Sequence, residues 1–240
     1  MWIALAAPFL IATESGPLGD ALEATEAPNT LRAAFTVELR SGEDLRIIRF
    51  DPRLEAAQRW QLVVEQGENE ELDQVAAEWG SETAPDARLF PDDLRASFSQ
   101  QVMAEDLGGA WRVRFDHRPS LTDSEIDEWA ADHLRATVWI DPVSERFLRL
   151  DHELPRPVDG PRGVRLMRYS QSYFLETDPS YGLSYVSGLA IELEARAAFQ
   201  TVERAYSARV LEVEFFFASA ADKADFEKQR ARHHLTSDRG

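Results

Sequence analysis

Three aspartate–histidine pairs carry the residue types that could do chemistry: Asp116-His117, Asp132-His133 and Asp151-His152. Carboxylate and imidazole are the materials of metal centres and of general acid–base catalysis. Their spacing argues against either use. Neighbours on a strand point to opposite faces, so a pair set in a strand cannot close on one ion. His133 falls on a helical pattern instead, and surface polar pairs are the reading that the spacing supports. Serines are plentiful, but none stands in a Gly-x-Ser-x-Gly elbow. No Gly-x-Gly-x-x-Gly or P-loop occurs, and "DGPRG" (159–163) reads as a hairpin loop with glycines at turn positions. The absence of cysteine removes disulfides, thiol nucleophiles and cysteine zinc sites. No catalytic residue, no metal ligand and no cofactor is therefore expected, and the function must be sought in the architecture.

The elements that would hold a site follow from periodicity. "GPLGDALEATEA" (16–27) reads as a short helix before Pro28-Asn29. Phe35, Val37 and Leu39 alternate on a first strand. Leu45 and Ile47 alternate on a second, with Arg49 in phase, across the turn Ser41-Gly42-Glu43-Asp44. Residues 59–67 form a third strand. Leu72, Val75, Ala76 and Trp79 recur at i, i+3, i+4, i+7, which predicts a helix capped by Asn69 and stopped at Gly80. "DDLRASFSQQVMAEDLGG" (92–109) reads as a further helix, with Leu94, Phe98, Val102 and Met103 inward. From Trp111 the period is mostly two: strands are expected at 111–118, 135–141, 145–154, 163–176, 183–196 and 198–217. A short acidic helix interrupts them near Ile126, Trp129 and His133, and a helix at 219–234 closes the chain.

The hairpin "LRATVWIDPVSERFLRLDHEL" (134–154) shows how these strands are built. Val138 and Ile140 share a face of one arm, and Leu148, Leu150 and Leu154 share a face of the other, about the turn Asp141-Pro142-Val143-Ser144. The fold class is thus α+β: an antiparallel sheet with helices on one face. Its apolar face is expected to carry Trp111, Val113, Phe115, Val138, Ile140, Leu148, Leu150, Val164 and Leu166. The chain's own helices or a bound apolar ligand must cover that face. Further aromatics, among them Tyr169, Tyr173, Phe174, Tyr185, Phe199 and Phe215-Phe216-Phe217, are candidates for a cavity wall or for ordinary packing.

The charge balance narrows the partners. Forty-three acidic against 26 basic side chains leave a net charge of −17, which repels phosphate backbones. Nucleic acid is not an expected partner, and the basic run 228–234 reads as a solvated helix end. Residues 2–12 are apolar over the length of a signal-peptide core, without a basic region before them. They are either the remnant of an export signal, covering 1–15, or a buried N-terminal strand or helix. Residues 16–240 then form one domain.

The segment "LRATVWIDPVSERFLRLDHELPRPVDGPRGVRLMRYSQSYFLE" resembles the strand meander of periplasmic lipoprotein carriers of the LolA/LolB type, and "LGDALEATEAPNTLRAAFTVEL" is similar to their opening helix and first strand. The likeness covers roughly residues 17–217 and is one of topology and texture. It implies a half-open barrel, a strongly curved antiparallel sheet whose concave face is apolar and capped by helices. It also implies a periplasmic, monomeric, non-catalytic carrier or chaperone that binds a lipid or lipidated protein, with a transient partner in the envelope. Members of the family hold a lid closed with an arginine on an early strand; Arg46 and Arg49 lie on an early strand here, but neither aligns with it. The chain also departs in being acidic and longer. The alternatives are an envelope interaction module whose sheet is filled by its own core, and an acid–base enzyme using the Asp-His pairs.

Overall fold

The computed structural model describes residues 8–14, 16–91, 94, 98, 100–116, 129–197 and 200–237. Twelve strands form one antiparallel sheet: β1 (Pro8–Ala12), β2 (Leu31–Ser41), β3 (Asp44–Phe50), β4 (Trp60–Gln66), β5 (Gln101–Asp106), β6 (Trp111–Asp116), β7 (Arg135–Asp141), β8 (Arg146–Glu153), β9 (Val158–Asp159), β10 (Val164–Thr177), β11 (Ser184–Ala197) and β12 (Gln200–Phe217). Their order is β1-β5-β6-β7-β8-β10-β11-β12-β2-β3-β4, with β9 beside β10, so the sheet is open and its edges are β1 and β4. Helices α1 (Gly16–Glu23), α2 (Glu70–Ser81) and α3 (Ala220–Ser237) complete the α+β architecture. Among the described residues no helix is long and apolar enough to cross a membrane.

Local chemistry explains the first elements. The β2–β3 hairpin turns on two residues, and Gly42 takes φ +58°, which its position in a mirror-image turn demands. α2 starts where the Asn69 side chain accepts from the Leu72 amide at 3.0 Å, with Glu70, Glu71 and Asp73 in its positive first turn. Gly80 does not stop this helix, which runs on to Ser81. The residue is glycine for another reason: a Cβ there would lie 2.6 Å from the indole of Trp60.

Two further elements differ from expectation. Residues 101–106 are β5, paired between β1 and β6, not helix. Val102 and Ala104 are buried with period two while Met103 is exposed, and partners on both sides outweigh the helical spacing of Leu94, Phe98 and Val102. On β3 the buried face carries Arg46, Ile48 and Phe50, the opposite set from Leu45, Ile47 and Arg49. The register decides this by setting Phe50 beside Phe35, Ile48 beside Val37 and Arg46 beside Leu39. Arg46 tolerates burial because α2 meets it: its Nε donates to Asp73 at 2.7 Å and its Nη1 to the Leu45 and Gln66 carbonyls.

The helices pack on one face of the sheet over two cores. α1 inserts Leu18, Ala21 and Leu22 against Val113, Ala136, Val138, Ile140, Phe147 and Leu150. α2 inserts Leu72, Val75 and Trp79 against the buried row of β2, Ile48 and Phe50. Tyr173 on β10 touches both cores. Phe226 of α3 seats on Phe217, with ring centroids 5.3 Å apart, and Tyr181 packs beside them. Phe216, on the other face, lies under the Arg53 guanidinium at 4.8 Å.

Candidate functional site

The nine residues expected to line a ligand face do not act together. Val113, Val138 and Ile140 are fully buried under α1. Trp111 packs edge-on against Phe9 of β1, and Phe115 stacks on Phe98 at 4.1 Å. That half of the sheet is filled by the chain itself. Leu148 is exposed on the other face, because a bulge between Trp139 and Ile140 shifts the register and sets Phe147, not Leu148, opposite Ile140. Val164 and Leu166 lie at the far end of β10 beside β9, outside both cores. Only Leu150 reaches the cavity described next.

Between the two cores lies a cavity of about 480 Å3. Its floor is the middle of the sheet: Leu150 and His152 on β8, Gln171, Tyr173 and Leu175 on β10, Val186 and Leu189 on β11, Tyr206 and Ala208 on β12, and Phe35 and Val37 on β2. Ala208 helps to leave this space, because it presents only a methyl group between its cross-strand partners Leu189 on β11 and Leu39 on β2. Its roof is Trp79 of α2, a 3-10 turn at Pro85–Leu89, and Phe90 and Pro91 after it.

Ion pairs hold this roof. The Asp86 carboxylate, on the 3-10 turn, is 3 % exposed and accepts from Arg32 Nε at 2.6 Å, from Arg32 Nη2 at 2.8 Å and from the Ala33 amide at 3.1 Å. Arg32 on β2 thus meets the 3-10 turn, whereas Arg46 on β3 meets Asp73 of α2. Arg88 is tied to Glu82 through Nε and Nη2, and its guanidinium lies 4.8 Å over Trp79. Phe90 packs on Phe215 at 5.6 Å.

The cavity's polar groups are few. Burial pushes the Tyr173 phenol up to about 12, and burial raises that of Tyr206 as well, while nearby Arg88 opposes both shifts. The His152 ring stands edge-on to Tyr173 at 6.2 Å.

The Asp151-His152 pair separates as strand geometry requires. His152 faces the cavity, whereas Asp151 points to the other face and accepts from Trp139 Nε1, Arg149 Nε and Ser172 Oγ at 2.9, 2.5 and 2.7 Å. His133 meets the Trp129 carbonyl through Nδ1 at 2.9 Å. His117 lies outside the described residues, among which no group of three His, Asp or Glu side chains could hold a metal.

Of the aromatic candidates, Tyr173 lines the cavity, while Tyr185 and Phe215 pack against each other at 5.2 Å and Phe174 is exposed. Phe199 lies outside the described residues. Tyr206, Arg88 and Asp86 escaped sequence reasoning; the proline-bounded run 85–91 between a helix and a strand was the available signal. No family model matches the chain, and no curated protein and no solved structure matches it either.

Proposed function

We propose that the protein is a non-catalytic carrier that binds a hydrophobic ligand, a lipid or the acyl part of a lipidated protein, in the cavity between its sheet and the 82–91 cover. The observation that carries this reading is the combination of an apolar space in the middle of the sheet with a roof that the Arg32–Asp86 ion pair ties to β2. A filled core would have no reason to keep such a space, since voids forfeit contacts on every side. Each methylene buried there contributes ~0.8 kcal/mol, so about ten supply the gross energy of a micromolar complex before ordering costs. Apolar burial has no direction, which suits a site that accepts and releases related tails.

The same reading extends to architecture and place: a half-open barrel of the LolA/LolB kind, acting in the periplasm and delivering its ligand to a partner in the envelope. What supports it is the open antiparallel sheet with helices on one face, and a cover clamped from an early strand. The test is native mass spectrometry of the purified protein, followed by organic extraction. A stoichiometric acyl species identifies the ligand. An unliganded mass that persists after incubation with lipid overturns the proposal and favours an interaction module.

A further inference from the structure

The cavity's volume and its polar lining together specify the ligand more narrowly, and this step rests on the carrier reading. A methylene fills about the volume of one liquid water, ~30 Å3. At that volume per group 480 Å3 holds about sixteen carbons. That is one acyl chain. A lipid with two or three chains of that length would leave half or more of its apolar surface outside.

The lining is also one-sided in charge. The chain holds 43 acidic residues, yet none of the described residues lining the cavity is Asp or Glu. Its polar members are Arg88, His152, Gln171, Tyr173 and Tyr206. The hydroxyls of Tyr173 and Tyr206 donate to no described residue, and Arg88 Nη1 likewise has no partner among them, since Glu82 holds only Nε and Nη2. The sheet register sets Tyr206 opposite Ile191 and Tyr173 opposite Leu189, on the same face at either side of β11, and Arg88 is near enough to act on both phenols. A phenol keeps its proton at neutral pH, and burial raises both further, so each stands as an O–H donor.

We infer that the cavity takes a single-chain amphiphile with an anionic head, its tail of up to about sixteen carbons under the 3-10 cover and its head received by Tyr173, Tyr206 and Arg88. Donors without an acceptor in an apolar wall favour a head that brings only acceptors, and no described lining residue offers a carboxylate to a cationic one.

The test is displacement of an environment-sensitive fluorophore from delipidated full-length protein. The probes are a saturated carboxylic acid of that length, the matching alkyl phosphate, the methyl ester and the trimethylammonium analogue. The acid or the phosphate should bind tenfold or more tightly than the ester, the tighter of the two naming the head, and the ammonium should bind weakest. Tyr173→Phe combined with Tyr206→Phe should abolish the preference for the anion by about tenfold while leaving ester binding in place, which also reports that the variant is folded. Equal binding of acid, phosphate and ester, or an anion preference that survives both substitutions, overturns the head assignment. Tighter binding of a two-chain phospholipid overturns the single-chain assignment. Failure of every amphiphile to bind instead removes the carrier reading on which the inference stands.

Discussion

Replacing Asp86 by Asn should loosen the cover without disturbing the sheet. The substitution keeps the shape of the side chain and removes the charge that Arg32 clamps through two hydrogen bonds, at 2.6 and 2.8 Å. Hydrogen bonds to charged groups contribute ~1.5–3 kcal/mol each when both partners are buried. Here Asp86 is buried but Arg32 is 36 % exposed, so water compensates part of the loss and ~2 kcal/mol is the working figure. That corresponds to about a thirtyfold rise in the open population of the cover. Hydrogen exchange reads it directly. The Ala87 and Phe90 amides, bonded to the Ala84 and Ala87 carbonyls, should exchange about thirtyfold faster. Amides of β2 and β12 should keep their protection. Ligand dissociation should accelerate by a similar factor, because the same opening releases it. Unchanged exchange at 84–90 would refute the assignment of Asp86 as the cover's clamp. Equal loss of protection across β2 and β12 would show that the pair supports the whole fold and has no gating role.

Filling the cavity should separate binding from folding: Ala208→Phe places a ring on its floor, and the expected outcome is loss of lipid binding with a melting temperature no lower than the parent's. Gly80→Ala should destabilise, because a Cβ 2.6 Å from the Trp60 indole forces a shift of ~1–3 kcal/mol that outweighs the ~1 kcal/mol gain in helix propensity. A denaturant melt checks this, and Trp60→Leu in the same chain should restore most of the loss. Asp51 provides a pH test, since side-chain hydrogen bonds from Arg53 hold its carboxyl below the ordinary carboxylate value. A depressed folded-state pKa contributes stability that is complete above about pH 4 and is lost as pH falls further. Asp51→Asn should therefore lower the unfolding midpoint more at pH 7 than near pH 2; equal loss at both pH values would show that the charge is not what the loop uses.

How much was legible in advance differs from strand to strand. In β7, Val138 and Ile140 alternate and are buried, because alternation alone places them on one face of a paired strand. One strand later the same rule misplaced Leu148, because a bulge has no mark in the alternation and inverts every face beyond it. β3 failed for a related reason. Its apolar residues Leu45, Ile47, Ile48 and Phe50 fit either face, and an arginine was the natural choice for the solvent side until α2 supplied Asp73 to meet it. β5 reads as a helix locally and becomes a strand only because β1 and β6 flank it.

The cavity was hidden more deeply. Leu150 was assigned to it and Tyr173 was a candidate, but its floor combines five strands drawn from residues 35 to 208. Composition and periodicity determined by themselves the class of the fold, an antiparallel sheet with helices on one face, because side-chain period and turn chemistry act over a few residues. Where the chain fills that face and where it leaves it open was decided by tertiary structure. Register, bulges and the Arg32–Asp86 contact join residues far apart in sequence, and a void is a property of what several elements together fail to occupy.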